Sequence, residues 1–128
     1  MAKQILIADD GTTVRQLIRA FLEKETAFRV CGEAVDGVDA IEKAKELKPD
    51  LILLDLAMPR MNGADAATEL LRIMPEVPIV MFTMYDENVG KSLMPLGVKA
   101  VISKPDGMRN LVECVQGLLG SGPAVTSS

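Results

Sequence analysis

Five side chains suited to metal or phosphoryl chemistry each stand at the end of a short apolar run. Asp9 and Asp10 follow Ile5-Leu6-Ile7-Ala8, Asp55 follows Leu51-Ile52-Leu53-Leu54, Thr83 follows residues 77–82, and Lys104 follows residues 98–103. Three converging carboxylates repel one another, and drawing them out of water costs on the order of several kcal/mol each, so a cation must accompany them. Oxygen ligands without His or Cys select a hard ion, and Mg2+ fits best. Mg2+ keeps several waters and shares phosphoryl oxygens, so a lysine ammonium and a threonine hydroxyl beside it complete a set that holds a phosphoryl group by charge and geometry. Singly, each residue has a plainer reading. A strand-end Asp is ordinarily a helix cap or turn residue, Thr83 a turn hydroxyl, and Lys104 a solvated charge. Five separate accidents of that kind explain the joint pattern poorly. The carbonyl of Ala57, two residues past Asp55, is a weaker candidate ligand.

The elements that must position these residues alternate along the chain. Apolar runs at 5–8, 28–31, 51–54, 77–82 and 98–103 read as strands. Helical spacing follows each of them. Val14, Leu17, Ile18, Phe21 and Leu22 form one face of a helix over 13–24, with Thr13 and Gln16 fitting a capping box. Asp36 can cap a helix to Leu47 with Ile41, Ala44 and Leu47 inward. Asn62-Gly63 opens a helix with Ala64, Ala67, Leu70, Leu71 and Met74 on one side. Asp86 can cap a fourth helix that Gly97 ends, weakened by Gly90 and Pro95. Asp106 starts the last, with Leu111, Val112, Val115, Leu118 and Leu119 inward. The central strands are apolar at successive positions, which marks strands covered on both faces. The fold class is therefore α/β: a doubly wound, five-stranded parallel sheet with five helices. In such a sheet the strand ends share one edge, and ligands bind where the strand order reverses. The order 2-1-3-4-5 makes strands one and three neighbours there, bringing Asp9, Asp10 and Asp55 together.

The 128 residues suit one domain with an aliphatic core, Trp being absent. The net charge of −4 and the lack of Lys/Arg runs argue against direct nucleic-acid binding by this domain. The absence of His removes Ser-His-Asp and Cys-His catalysis and most zinc sites. Cys31 and Cys114, far apart and without a CxxC, read as reduced, mostly buried thiols. No signal peptide and no apolar run of membrane-spanning length is present, so the expectation is a cytoplasmic protein without membrane contact.

The acidic pair Asp9-Asp10, the block LILLDLAMPRMNG, Thr83 and Lys104-Pro105, at these spacings, resemble the receiver domain of two-component response regulators. GEAVDGVDAIEKAKELKPD and TMYDE resemble the subgroup often joined to a helix-turn-helix output domain. The resemblance spans about residues 3 to 119, giving a domain over 1–119 and a Gly/Ser/Pro-rich tail or linker over 120–128. It implies a flavodoxin-like fold and a phosphorylation-driven switch. Asp55 would take a phosphoryl group from a sensor histidine kinase or phosphotransfer protein. Asp10, Asp55 and the Ala57 carbonyl would be direct Mg2+ ligands, with Asp9 acting through water. Lys104 would bind the phosphoryl group, Thr83 would be the switch residue, and the Lys104-Pro105 bond would be cis. Output would pass through the face of helix four, strand five and helix five, to a partner or a fused output domain. No external substrate is implied: the domain would catalyse only its own phosphorylation and dephosphorylation.

The sequence departs from the family at several points. Val101 stands where an aromatic companion of the switch threonine is usual. Tyr85, the sole tyrosine, sits where the family tunes access of water, either shielding the acyl phosphate or simply a half-exposed loop aromatic. Met84 follows Thr83 where small residues are common. Asp106 replaces a common Phe and reads as a helix cap. Three rival readings remain open. A small phosphatase would usually carry a second Asp at position 57, which is Ala57 here. A phosphorylation-independent binding module would need loss of an acidic residue, Thr or Lys, and none is missing. The receiver part of a longer DNA-binding regulator is the third.

Overall fold

The computed structural model of the protein describes residues 2–84, 87–104 and 107–120, with only the backbone course given for 87–89. Five strands alternate with helices: β1 (Gln4–Ala8), α1 (Thr12–Glu25), β2 (Arg29–Ala34), α2 (Gly37–Leu47), β3 (Leu51–Leu54), α3 (Gly63–Ile73), β4 (Ile79–Thr83), α4 (Glu87–Leu93), β5 (Ala100–Ser103) and α5 (Met108–Leu119). The strands form one sheet in the order β2-β1-β3-β4-β5, and every pair is parallel. The expected fold class and strand order are those of the structure.

Successive residues of the inner strands explain the unbroken apolar runs. Ile5, Ile7, Leu51 and Leu53 pack on one face with Ile18 and Leu22 of α1 and Leu111 and Val115 of α5. Leu6, Ala8, Ile52 and Leu54 pack on the other with Ala40 and Ala44 of α2 and Ala66, Ala67 and Leu70 of α3. A strand residue alternates faces along the pleat, so a strand covered twice must be apolar at every position. The small residues on α2 and α3 let those helices lie close to the sheet.

Several local expectations need correction. Gly11, not Thr13, precedes α1, and no side-chain cap forms there, because Thr12 is already helical. Asp36 and Asn62 do cap α2 and α3, accepting from the amides of Asp39 and Asp65. Leu17 is 56% exposed: the buried stripe of α1 is Arg15, Ile18 and Leu22, and a residue two places beyond Arg15 turns about 200° away from it. Leu47 and Leu118 are also exposed rather than inward; the first overhangs Gly32 on the edge strand β2, and the second lies at the margin of the α5 stripe. Pro95 does not interrupt α4, which ends at Leu93; it lies in a separate 3-10 turn, Met94–Leu96, closed by Gly97 at φ 107°. α5 begins at Met108 after Gly107, later than Asp106. Cys31 and Cys114 are free and half-buried, and burial pushes both thiols up. The expectations placed on Tyr85, Asp86, the Lys104-Pro105 bond, Asp106 and residues 121–128 fall outside the described residues.

Candidate metal and phosphoryl site

The sheet ladder carries the acidic residues to its edge. The amide of Asp9 donates to the carbonyl of Ala34 on β2 at 3.0 Å, and the amide of Asp55 donates to the carbonyl of Ala8 on β1 at 2.9 Å. Both therefore extend the strand pairing by one more bond. One carboxylate oxygen from each of Asp9, Asp10 and Asp55 lies within 4.8 Å of the other two. Asp9 and Asp55 are 3% and 7% exposed, while Asp10 opens to solvent. This is a cradle of oxygen donors with one wet side, the arrangement that a hard cation retaining waters requires.

Lys104 follows β5, two strands away from β3, and its side chain reaches back over β4. Its Nζ donates to Asp9 Oδ2 at 2.7 Å and lies 3.3 Å from Asp55 Oδ2. Burial is the largest single influence on this ammonium and lowers its pKa, but the hydrogen bond to Asp9 and the charges of Asp55 and Asp9 outweigh it, so the pKa is raised. Asp55 is the strained partner. Burial first, and the Asp9 charge second, push its carboxyl above the ordinary carboxylate range, against the pull of Lys104.

Thr83 ends β4, paired with Ser103. It is 1% exposed, and its hydroxyl has no hydrogen-bond partner among the described residues. Leaving a buried hydroxyl unmet costs about 1–3 kcal/mol, so the orphaned Oγ1 fits a site awaiting an acceptor. Ala57 lies exposed in the loop after Asp55. Met84, beside Thr83, is exposed. Val101 is half-buried in β5 and packs with the core on the α2–α3 face.

The loop from Asp55 to α3 is closed tightly. The Gly63 amide donates to the Leu56 carbonyl at 2.8 Å, and a Cβ on Gly63 would fall on the Asp55 carbonyl oxygen. Arg60 takes a left-handed φ of 62° and its Nε donates to Asp36 Oδ2 at 2.7 Å; the Gly37 amide donates to the Met61 carbonyl at 2.9 Å. These bonds tie the Asp55 loop to the start of α2.

One participant escapes the sequence pattern. Arg15, on the inward stripe of α1, donates from a terminal nitrogen to the backbone carbonyl of Asp9 at 2.6 Å and from Nε to Glu33 Oε1 at 2.9 Å. An Arg inside an amphipathic helix ordinarily reads as a solvated charge. The available signal was its spacing of three and seven from Ile18 and Leu22.

Comparison with known proteins gives consistent matches. A family model, the response regulator receiver domain, matches residues 5–116. The chain is 36% identical over 116 residues to the chemotaxis protein CheY of Thermotoga maritima, covering 90% of this chain and 96% of that protein. It is 39% identical over 118 residues to the response regulator protein VraR of Staphylococcus epidermidis, covering 91% of this chain and 56% of VraR, a little over half of VraR's length. Among solved structures, the CheX-CheY-BeF3-Mg2+ complex from Borrelia burgdorferi superposes with a TM-score of 0.81 at 26% identity, over 91% of this chain and 89% of the matched chain.

Proposed function

This chain belongs to the response regulator receiver-domain family, and from that premise we propose that Asp55 is its phosphoacceptor, served by Mg2+ and by Thr83 and Lys104. Receiver domains are signalling modules, and the switch here is the covalent state of Asp55. A carboxylate oxygen of Asp55 attacks phosphorus in a phosphohistidine of a sensor histidine kinase or phosphotransfer protein. The new carbon-bound oxygen–phosphorus bond forms as the phosphorus–nitrogen bond breaks, and its electron pair returns to the donor imidazole.

Asp10, Asp55 and the Ala57 carbonyl would hold Mg2+ directly, with Asp9 acting through water. The ion supplies charge that offsets the phosphoryl oxygens during transfer. Lys104, already between Asp9 and Asp55, turns its ammonium to the phosphoryl group. Asp55 is the nucleophile because it directly follows the central strand β3 with Lys104 Nζ 3.3 Å from its Oδ2, whereas both oxygens of Asp9 are already engaged by the Gly11 amide and Lys104. The negative charge that the phosphoryl group brings is left for Mg2+ and Lys104 to offset. The Mg2+ bound with CheY in the Borrelia burgdorferi complex supports the choice of ion.

The observation that carries this reading is the Thr83 hydroxyl, buried and without a partner among the described residues. A phosphoryl oxygen on Asp55 would give it an acceptor, and the new hydrogen bond would favour one arrangement of the β4–α4 segment over another. The domain then alters its contacts with a separate partner or a fused output domain, the matches over 96% of CheY and 56% of VraR being compatible with either. It acts on no external substrate and makes no direct nucleic-acid contact. No helix among the described residues is long and apolar enough to cross a membrane.

The test is to offer acetyl phosphate with Mg2+ and weigh the intact protein. One added phosphoryl group, absent in Asp55→Asn, is expected. No gain from either small donors or a phosphohistidine protein would overturn the reading.

A further inference from the structure

We propose that Arg15 is a positioning residue for the metal cradle: its guanidinium fixes the Asp9–Asp10 peptide and so the direction in which Asp10 presents its carboxylate. The proposal rests on reading Asp9, Asp10 and Asp55 as the Mg2+ site, and goes beyond it by assigning a role to a residue that touches neither metal nor phosphoryl group.

Arg15 is 9% exposed, unusual for a residue type that is almost never buried without partners. Each of its three guanidinium nitrogens has a partner. One terminal nitrogen donates to the Asp9 carbonyl at 2.6 Å, the other lies 3.4 Å from Thr12 Oγ1, and Nε donates to Glu33 Oε1 at 2.9 Å. Glu33 is itself fixed: Arg19 Nε donates to its other oxygen at 2.8 Å, and Lys43 Nζ donates to its backbone carbonyl at 2.5 Å. The guanidinium is therefore a rigid strut running from β2 to one peptide plane.

That plane joins Asp9 to Asp10. Asp9 is already held elsewhere, its amide by Ala34, Oδ1 by the Gly11 amide at 2.8 Å and Oδ2 by Lys104. Among the described residues Asp10 has no such restraint beyond the chain itself: it is exposed, past the end of β1 and before α1. The orientation of the peptide that precedes it is what sets where its side chain leaves the backbone. Groups that orient metal ligands from behind commonly change metal affinity 10–100-fold when removed.

Charge and position predict opposite signs, which makes the test sharp. Deleting a cation near three carboxylates should tighten Mg2+ binding if only electrostatics matters. Loss of the strut should weaken it. Mg2+ affinity is measured by titration calorimetry on wild type, Arg15→Met, Arg15→Lys and the control Lys24→Gln, with folding checked by circular dichroism. Arg15→Met keeps the apolar stem and should bind Mg2+ about tenfold more weakly. Arg15→Lys should also bind more weakly, because an ammonium cannot serve Asp9, Thr12 and Glu33 together, and it carries the test should Arg15→Met fail to fold. Lys24→Gln removes a like charge from an exposed position of the same helix without touching Asp9 or Glu33, and should bind as well as wild type or better. Equal or tighter binding in the Arg15 variants, or equal weakening in Lys24→Gln, would overturn the positioning role while leaving the metal site standing. No Mg2+ binding by wild type would overturn the metal site and the strut together.

Discussion

Burial first, and the neighbouring Asp9 second, push the Asp55 carboxyl above the ordinary carboxylate range, with Lys104 offsetting only part of the penalty. In metal-free buffer, Asp55→Asn is therefore expected to raise the melting temperature by several degrees, measured by thermal unfolding with a chelator present; a lower value would contradict the charge balance described for the site. Glu33 has the opposite sign. Its burial works against ionisation, but the hydrogen bonds from Arg19 and Arg15 outweigh it and hold its pKa below the ordinary value. A carboxyl depressed in the folded state stabilises the fold above its unfolded pKa, about 4.3, and that stabilisation is lost as pH falls through the folded value. Glu33→Gln should thus cost about 1–2 kcal/mol near neutral pH, with the difference from wild type fading in acid; a cost independent of pH would point to packing instead. Residue types alone disclosed Asp9, Asp10, Asp55, Thr83 and Lys104, because each is a polar group interrupting an apolar pattern. Arg15 and Glu33 were hidden because their partners lie on different elements and each resembles an ordinary surface charge.

The helices and strands were legible where a single stripe or run decides the matter. β3 matches its expected bounds, and Asp36 and Asn62 cap the helices they announce. Ends and rims were less legible. Leu17 has a helical spacing that fits the buried face of α1, yet Arg15 takes that place, and no local pattern states which of two neighbours the core will accept. Pro95 suggests a broken α4 but falls in a turn of its own, where its missing amide costs little. Gly90 does lie within α4, and a Cβ there would meet Val101 Cγ1 at 3.6 Å, an ordinary contact. Gly90→Ala is consequently expected to stabilise the protein by about 0.5–1 kcal/mol, read from denaturant unfolding. Destabilisation would mean that the gap between α4 and the small Val101 is needed. Slower hydrogen exchange in α4 of the variant would place the gain in that helix.

At the scale of the whole molecule, the site and the fold draw on the same contacts. An ion bound only by the folded form stabilises it by mass action, by about 2.7 kcal/mol at a hundredfold excess over its dissociation constant. The melting temperature should accordingly climb with Mg2+ concentration in wild type and much less in Asp10→Asn, with Ca2+ and Na+ at matched ionic strength as controls; equal rises for all three salts would indicate screening alone. The order 2-1-3-4-5 expected for this fold class is the observed one, and it sets β1 beside β3 so that their acidic ends meet, whereas the network behind them depends on how α1 rests on β2. The bond from Lys104 to Asp9 joins residues 95 apart in the chain. A polypeptide growing from its amino terminus holds Asp9, Asp10 and Asp55 long before it holds the lysine. It can offer carboxylates to a cation at that stage, but it cannot close the site until the fifth strand has left the ribosome and docked. A chain that stops short of Lys104 therefore lacks the ammonium that bridges Asp9 and Asp55, and its carboxylates are left to repel one another.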